Sequence, residues 1–196
     1  MKLVGPGRIF ATALIAGVIL APRPASAQEP PLTLDAVAVS LGGTTSRSGS
    51  APITIHIERW STDEEGSRLK DVLTEKGDDR LLEALQHAKP VGNISVTGNL
   101  GWDIHYAHAV TLPSGGRRIV FATDRPMSFA ERTGASRSRD YEYLVGEMRV
   151  GPDGKGQGTL VPRASVMYDP EGRTLTVENY DSQPVRLTNV RVSARK

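Results

Sequence analysis

The chain has 196 residues, with 24 Lys and Arg against 22 Asp and Glu, and no cysteine. The cysteine count excludes disulfide staples, thiol catalysis and thiolate metal sites. The charge balance argues against a nucleic-acid partner, because Lys2, Arg8 and Arg23 all precede residue 28 with no acid among them, which leaves the remainder close to neutral.

Lys2 and Arg8 precede an uncharged apolar run from Ile9 to Ala21, and Ala25-Ser26-Ala27 follows it. That run is too short to cross a bilayer and ends in an A-x-A pattern, so residues 1–27 read as a signal peptide. Residues 28–196 are then one exported domain, periplasmic or secreted. No Cys offers a lipid site, and no second long apolar run suggests a membrane span.

Leu32 to Leu41 reads as a strand, and residues 42–50, Gly/Ser/Thr-rich with no hydrophobic side chain to bury, as a flexible loop. From Pro52 to Trp60, Ile53, Ile55 and Ile57 alternate with Thr54, His56 and Glu58, the pattern of a half-buried strand. Ser61-Thr62-Asp63-Glu64 fits a capping box, opening a helix with Leu69, Val72 and Leu73 at helical spacing. Gly77 supplies a left-handed stop, and Asp78 caps a second helix that carries Leu81, Leu82 and Leu85 and ends before Pro90. The expectation is a helical hairpin over about 62–89.

Beyond Val91 the signals are β. Strict alternation places Trp102, Ile104, Tyr106, His108 and Val110 on one strand face, with Asp103, His105, Ala107 and Ala109 on the other. Pro/Gly-containing turns at 112–116, 151–154 and 169–172 read as hairpin connections, making the region from Tyr141 to Val192 an antiparallel meander. Pro162 within its run marks an edge strand or a bulge, and 125–139 reads as a long loop. The fold class is α+β: an antiparallel sheet or barrel of about seven to nine strands with an inserted helical hairpin.

Motifs that could carry chemistry are sparse. Ser67-x-x-Lys70 matches the spacing of a Ser nucleophile and its Lys base, without the K-T-G strand or S-D-N loop that accompany it in penicillin-recognising enzymes. Gly134-Ala135-Ser136-Arg137-Ser138 departs from a nucleophile elbow at its last position. Gly154-Lys155-Gly156-Gln157-Gly158 links two strands and lacks the following helix that a phosphate loop uses. His56 and Glu58 share a face, as do Asp103 and His105. If their strands were neighbours, these four could hold a divalent ion. His105 and His108, three apart in a strand, diverge; the ordinary reading is a solvated sheet face with no metal. Arg132, Arg137 and Arg139 could cradle an anion, with Glu131, Asp140 and Glu142 close enough to offset them. Trp60 and Trp102 could line a ligand cleft, although each sits where core packing is expected.

Arg59 to Leu69, Gly101 to Ala107, Ala122 to Phe129 and Glu178 to Val192 (RWSTDEEGSRL, GWDIHYA, ATDRPMSF and ENYDSQPVRLTNVRV) resemble a group of uncharacterised exported bacterial proteins. The resemblance spans most of the exported part. It implies a bacterial exported origin and brings no catalytic residue and no cofactor. The function expected from the sequence is a non-enzymatic exported domain that binds a protein, an envelope component or a small ligand. A small metal-dependent hydrolase using His56, Glu58, Asp103 and His105, and a structural accessory domain of an envelope assembly, are the alternatives.

Overall fold

The computed structural model describes residues 30–41, 48–97, 101–125, 143–169, 171, 174–179 and 184–193. The expected signal peptide, most of the loop at 42–50, the turn at 169–172 apart from Asp169 and Glu171, and the 125–139 loop beyond Arg125 lie outside these residues. So do Arg132, Arg137 and Arg139.

Nine strands form one antiparallel sheet: β1 (Leu32–Ser40), β2 (Gly49–Ile57), β3 (Gly92–Val96), β4 (Trp102–Thr111), β5 (Arg117–Thr123), β6 (Tyr143–Val150), β7 (Lys155–Asp169), β8 (Thr174–Asn179) and β9 (Val185–Ser193). The order is β6-β5-β4-β3-β2-β1-β9-β7-β8, and an additional β6–β7 pairing closes eight strands into a barrel with β8 outside the ring. β2 begins at Gly49, so the end of the expected flexible loop is already strand. The Gly49–Ser50 backbone is held by pairing with Ser40 and Val39, which needs no hydrophobic side chain.

The C-terminal region departs from a simple meander. β7 is 15 residues long, and its two halves take different partners. Ala164 to Asp169 pairs with β8, while Lys155 to Leu160 pairs with both β6 and β9. β9 therefore runs on from β8 along the same edge of β7 and then pairs with β1, which completes the ring. A register shift opposite Leu144, between Val161 and Ala164, brackets Pro162, as expected of a residue that cannot donate to the ladder.

Inward-facing positions of all eight ring strands make one core, including Leu34, Ile55, Ile94, Ile104, Phe121, Met148, Leu160 and Leu187. Side chains fill it. At Gly146, whose missing Cβ would lie 2.2 Å from the Phe121 ring, the phenyl group occupies the space that any larger residue would need. The helices α1 (Asp63–Lys76) and α2 (Asp78–His87) lie outside the barrel. There Leu73, Leu81 and Leu85 pack on Tyr143, Ala164 and Val166, flanked by Tyr106, Ala122 and Val161. The hairpin thus flanks the barrel and does not enter it, and the interior is occupied by side chains from all eight ring strands.

The capping box is present one residue later than expected: Thr62 accepts from the Glu65 N–H at 3.2 Å, and the Glu65 carboxylate accepts from the Thr62 N–H at 2.9 Å. Ser61 is instead buried, its hydroxyl accepting from the Ala107 N–H at 3.1 Å. Gly77, at φ 81°, both ends α1 and precedes α2. Asp78 does not cap α2; its carboxylate turns toward the barrel and accepts from the Tyr143 hydroxyl and the Val166 N–H.

Candidate functional site

The outer face of β9, β1, β2, β3 and β4 carries a row of polar side chains in register. Ser193 lies opposite Thr33, Thr33 opposite His56, His56 opposite Asn93, and Asn93 opposite Asp103. The row exists because each of these strands alternates, with Leu34, Ile55, Ile57, Ile94, Trp102 and Ile104 turned into the core. Its best-formed contact joins Thr33 Oγ1 and His56 Nδ1 at 2.8 Å. Beside it the Asp35 carboxylate accepts from the Ser193 hydroxyl and, at 2.9 Å, from the Thr54 hydroxyl. Pro31, Leu32, Thr33, His56, Val192 and Ser193 line a shallow cleft of about 70 Å³. That volume admits a few waters or one functional group of a larger ligand, well below the roughly 300 Å³ of a small-molecule pocket.

The metal candidates do not converge. β3 lies between β2 and β4, so His56 and Asp103 flank Asn93 at a separation of about 10 Å, twice the interstrand spacing. Glu58 lies past the end of β2, exposed, with its N–H donating to Val91 O at 2.8 Å. His105 sits in a β-bulge: Ile104 opposes Thr123 and Tyr106 opposes Ala122, which leaves His105 as the extra residue. Among the described residues no three His, Cys, Asp or Glu side chains are grouped to hold a metal.

The bulge also overturns the expected face assignment in β4. Trp102 and Ile104 face the core before it, and Ala107 after it. Tyr106 and His108 are displaced to the other side, where their rings stack at 6.5 Å. His105 is buried, with Nδ1 2.8 Å from Ala88 O. Its Nε2 has no hydrogen-bond partner among the described residues and lies 3.6 Å from the Asp124 carboxylate. Sequence reasoning missed Asp124, which reaches His105 only through the bulge.

Trp60 and Trp102 are 6% and 8% exposed and belong to the barrel core, and the Trp60 indole donates to Pro30 O at 3.1 Å. Ser67 and Lys70 are exposed on α1. Burial, followed by the negative charge of Asp63, raises the pKa of Tyr106. The Glu147 carboxylate is held below its ordinary range first by its hydrogen bond to Arg118, with Arg149 also contributing.

No helix among the described residues is long and apolar enough to cross a membrane. No protein-family model, no curated protein and no solved structure matches the chain.

Proposed function

We propose that the protein is a non-enzymatic exported binding domain that recognises an envelope component through the outside of its barrel. The observation that carries this reading is the filled interior, in which Gly146 is needed to accommodate Phe121. A ligand then has to be met by the exterior, where the Ser193–Thr33–His56–Asn93–Asp103 row offers polar side chains in register across five strands. The resemblance to uncharacterised exported bacterial proteins points to the same compartment.

The Thr33–His56 hydrogen bond is a feature that would favour a hydrolase. A working nucleophile–base pair also needs a group orienting the second imidazole nitrogen. No described carboxylate does this for His56, so the binding reading ranks first.

Amide chemical-shift mapping during titration with soluble cell-wall polysaccharide fragments tests the proposal. Shifts are expected at Thr33, His56, Asn93 and Asp103 and should vanish in Thr33→Ala/His56→Ala. Shifts confined to inward positions such as Leu34 and Phe121, or turnover of a chromogenic ester that depends on His56, would overturn it.

A further inference from the structure

Charge is distributed unevenly along the barrel. The α1–α2 hairpin, residues 63–87, carries eight acidic and four cationic side chains. It covers one end of β4 to β7, at Tyr106, Ala122, Val145 and Val161. At the opposite end of those strands, with β9 beside them, residues 110–118, 149–157 and 186–193 carry six cationic side chains and one acidic.

Two cationic pairs there stand directly opposite across strands, Arg118 with Arg149 and Lys155 with Arg191. Like charges in that relation destabilise a sheet. Glu147 relieves the first pair by accepting from both guanidinium groups, at 2.8 and 3.3 Å. For the second pair no ion pair among the described residues involves Lys155 or Arg191, and the acidic residue in register with it is Asp35, opposite Arg191 on β1. The nearby Asp35 carboxylate is engaged by Thr54 and Ser193. All four cations are well exposed or at the surface, with the Arg118 and Arg149 side chains 48% and 65% accessible.

Two exposed aliphatic side chains accompany them. Val110, 49% exposed, lies opposite Arg118, and Val192, 37% exposed, follows Arg191 and donates its N–H to Gly154 O in the β6–β7 turn.

We propose that this end of the barrel docks peripherally on an anionic phospholipid surface, with the acidic hairpin turned away from it. Cations on a convex surface match a layer of headgroup phosphates, and each basic residue held near such a layer strengthens partitioning by about fivefold. A hydrophilic polyanion would match the charge but leave Val110 and Val192 in water, whereas the headgroup–acyl boundary accepts both kinds of side chain. The proposal rests on the envelope-binding reading above for its compartment; its surface adjoins the polar row and shares Val192 with the cleft there, while its cations lie outside that row.

Cosedimentation of the exported, processed protein with vesicles tests it. Vesicles of equal parts phosphatidylglycerol and phosphatidylcholine should bind, and should release the protein as salt rises; pure phosphatidylcholine vesicles should not bind. Arg149→Glu/Lys155→Glu/Arg191→Glu should lose more than about tenfold in partitioning. Lys76→Glu, on the hairpin, should leave binding unchanged, and Val110→Ser/Val192→Ser should weaken it without altering its salt dependence. Circular dichroism establishes that each variant is folded, and Arg149→Gln/Lys155→Gln/Arg191→Gln provides a milder substitute should the reversal unfold the chain. Equal binding to both vesicle types, undiminished binding by both triple variants, or binding to dextran sulfate but not to vesicles would overturn the proposal. If vesicles fail while polysaccharide still shifts the Thr33–Asp103 row, this inference alone falls.

Discussion

Tyr143 at the start of β6 donates its hydroxyl hydrogen to the carboxylate of Asp78 in the first turn of α2, and the Val166 N–H of β7 donates to the same oxygen at 3.2 Å. One side chain thereby ties the helical hairpin to two barrel strands. Burial first, and then the bond to Asp78, raises the Tyr143 pKa above its ordinary value, which favours the protonated hydroxyl that donates. Tyr143→Phe is expected to cost about 1.5–3 kcal/mol, the range for a hydrogen bond to a charged group. Asp78→Ala should cost more, because it strands both donors. Urea titration measures each, and an unchanged midpoint for Tyr143→Phe would mean that the hairpin is held by Leu73, Leu81 and Leu85 alone.

The neighbours Ser61 and Thr62 do different work, and substitution should separate them. Thr62→Ala removes the acceptor for the Glu65 N–H and should cost on the order of 1 kcal/mol. Ser61→Ala leaves the buried Ala107 N–H without its side-chain acceptor and should cost about 1–3 kcal/mol. Hydrogen exchange locates the effects: the first variant should loosen the opening turn of α1, the second the middle of β4.

Acid should weaken the α1 entry through Glu65. Its carboxylate is held below its ordinary range, first by the hydrogen bond from Arg59. A folded-state pKa lowered in this way gives stability that is present above pH 4.5 and is lost as pH falls through the folded value. Glu65→Gln should therefore flatten the stability–pH curve below that point and change little at neutrality beyond the lost ion pair. The Glu65 side chain is 43% exposed, so salt should diminish the difference.

Local chemistry explains which parts of the fold were legible. Alternation in Ile53-Thr54-Ile55-His56-Ile57 and the Pro/Gly turns act over a few residues, so β2, the hairpins and Pro162 could be placed from sequence. The cap slipped by one because Ser61-x-x-Glu64 and Thr62-x-x-Glu65 are overlapping versions of one pattern, and a tertiary partner, Ala107, claimed Ser61. The His105 bulge and the return of β9 along β7 depend on pairing between distant strands, which no local window contains. The polar row was half visible: His56 and Asp103 stood out, while Asn93, which separates them, became meaningful only once β3 was seen between β2 and β4.

The barrel interior should resist even one added methyl group at Gly146. A Cβ there would lie 2.2 and 2.3 Å from Phe121 ring carbons, a distance that forces the ring or the strand to move. Gly146→Ala is expected to cost about 1–3 kcal/mol from overpacking. Adding Phe121→Leu should recover part of that loss, because the smaller side chain vacates the contested space. A thermal melt of the two single variants and the double variant reads the coupling. Additive losses would mean that the two side chains do not compete and that the core has room to spare.

Zinc provides the sharpest contrast between a binding surface and a metal enzyme. A site built on His56 and Asp103 would need both in one coordination sphere, yet Asn93 stands between them in register and their separation is about twice the interstrand spacing. His105 directs Nδ1 to Ala88 O, and among the described residues its remaining nitrogen meets only the Asp124 carboxylate, at 3.6 Å. Two ligands fall short of the three that a catalytic zinc site takes from the protein. Zinc at concentrations that saturate a three-ligand site should therefore leave the melting temperature unchanged, in wild type and in His56→Ala/His105→Ala alike, whereas ligand binding to the native state would raise it. A rise confined to wild type and abolished by chelator would establish a metal centre and put hydrolysis ahead of binding; a rise that survives His56→Ala but not His105→Ala or Asp124→Ala would place that centre at the bulge of β4.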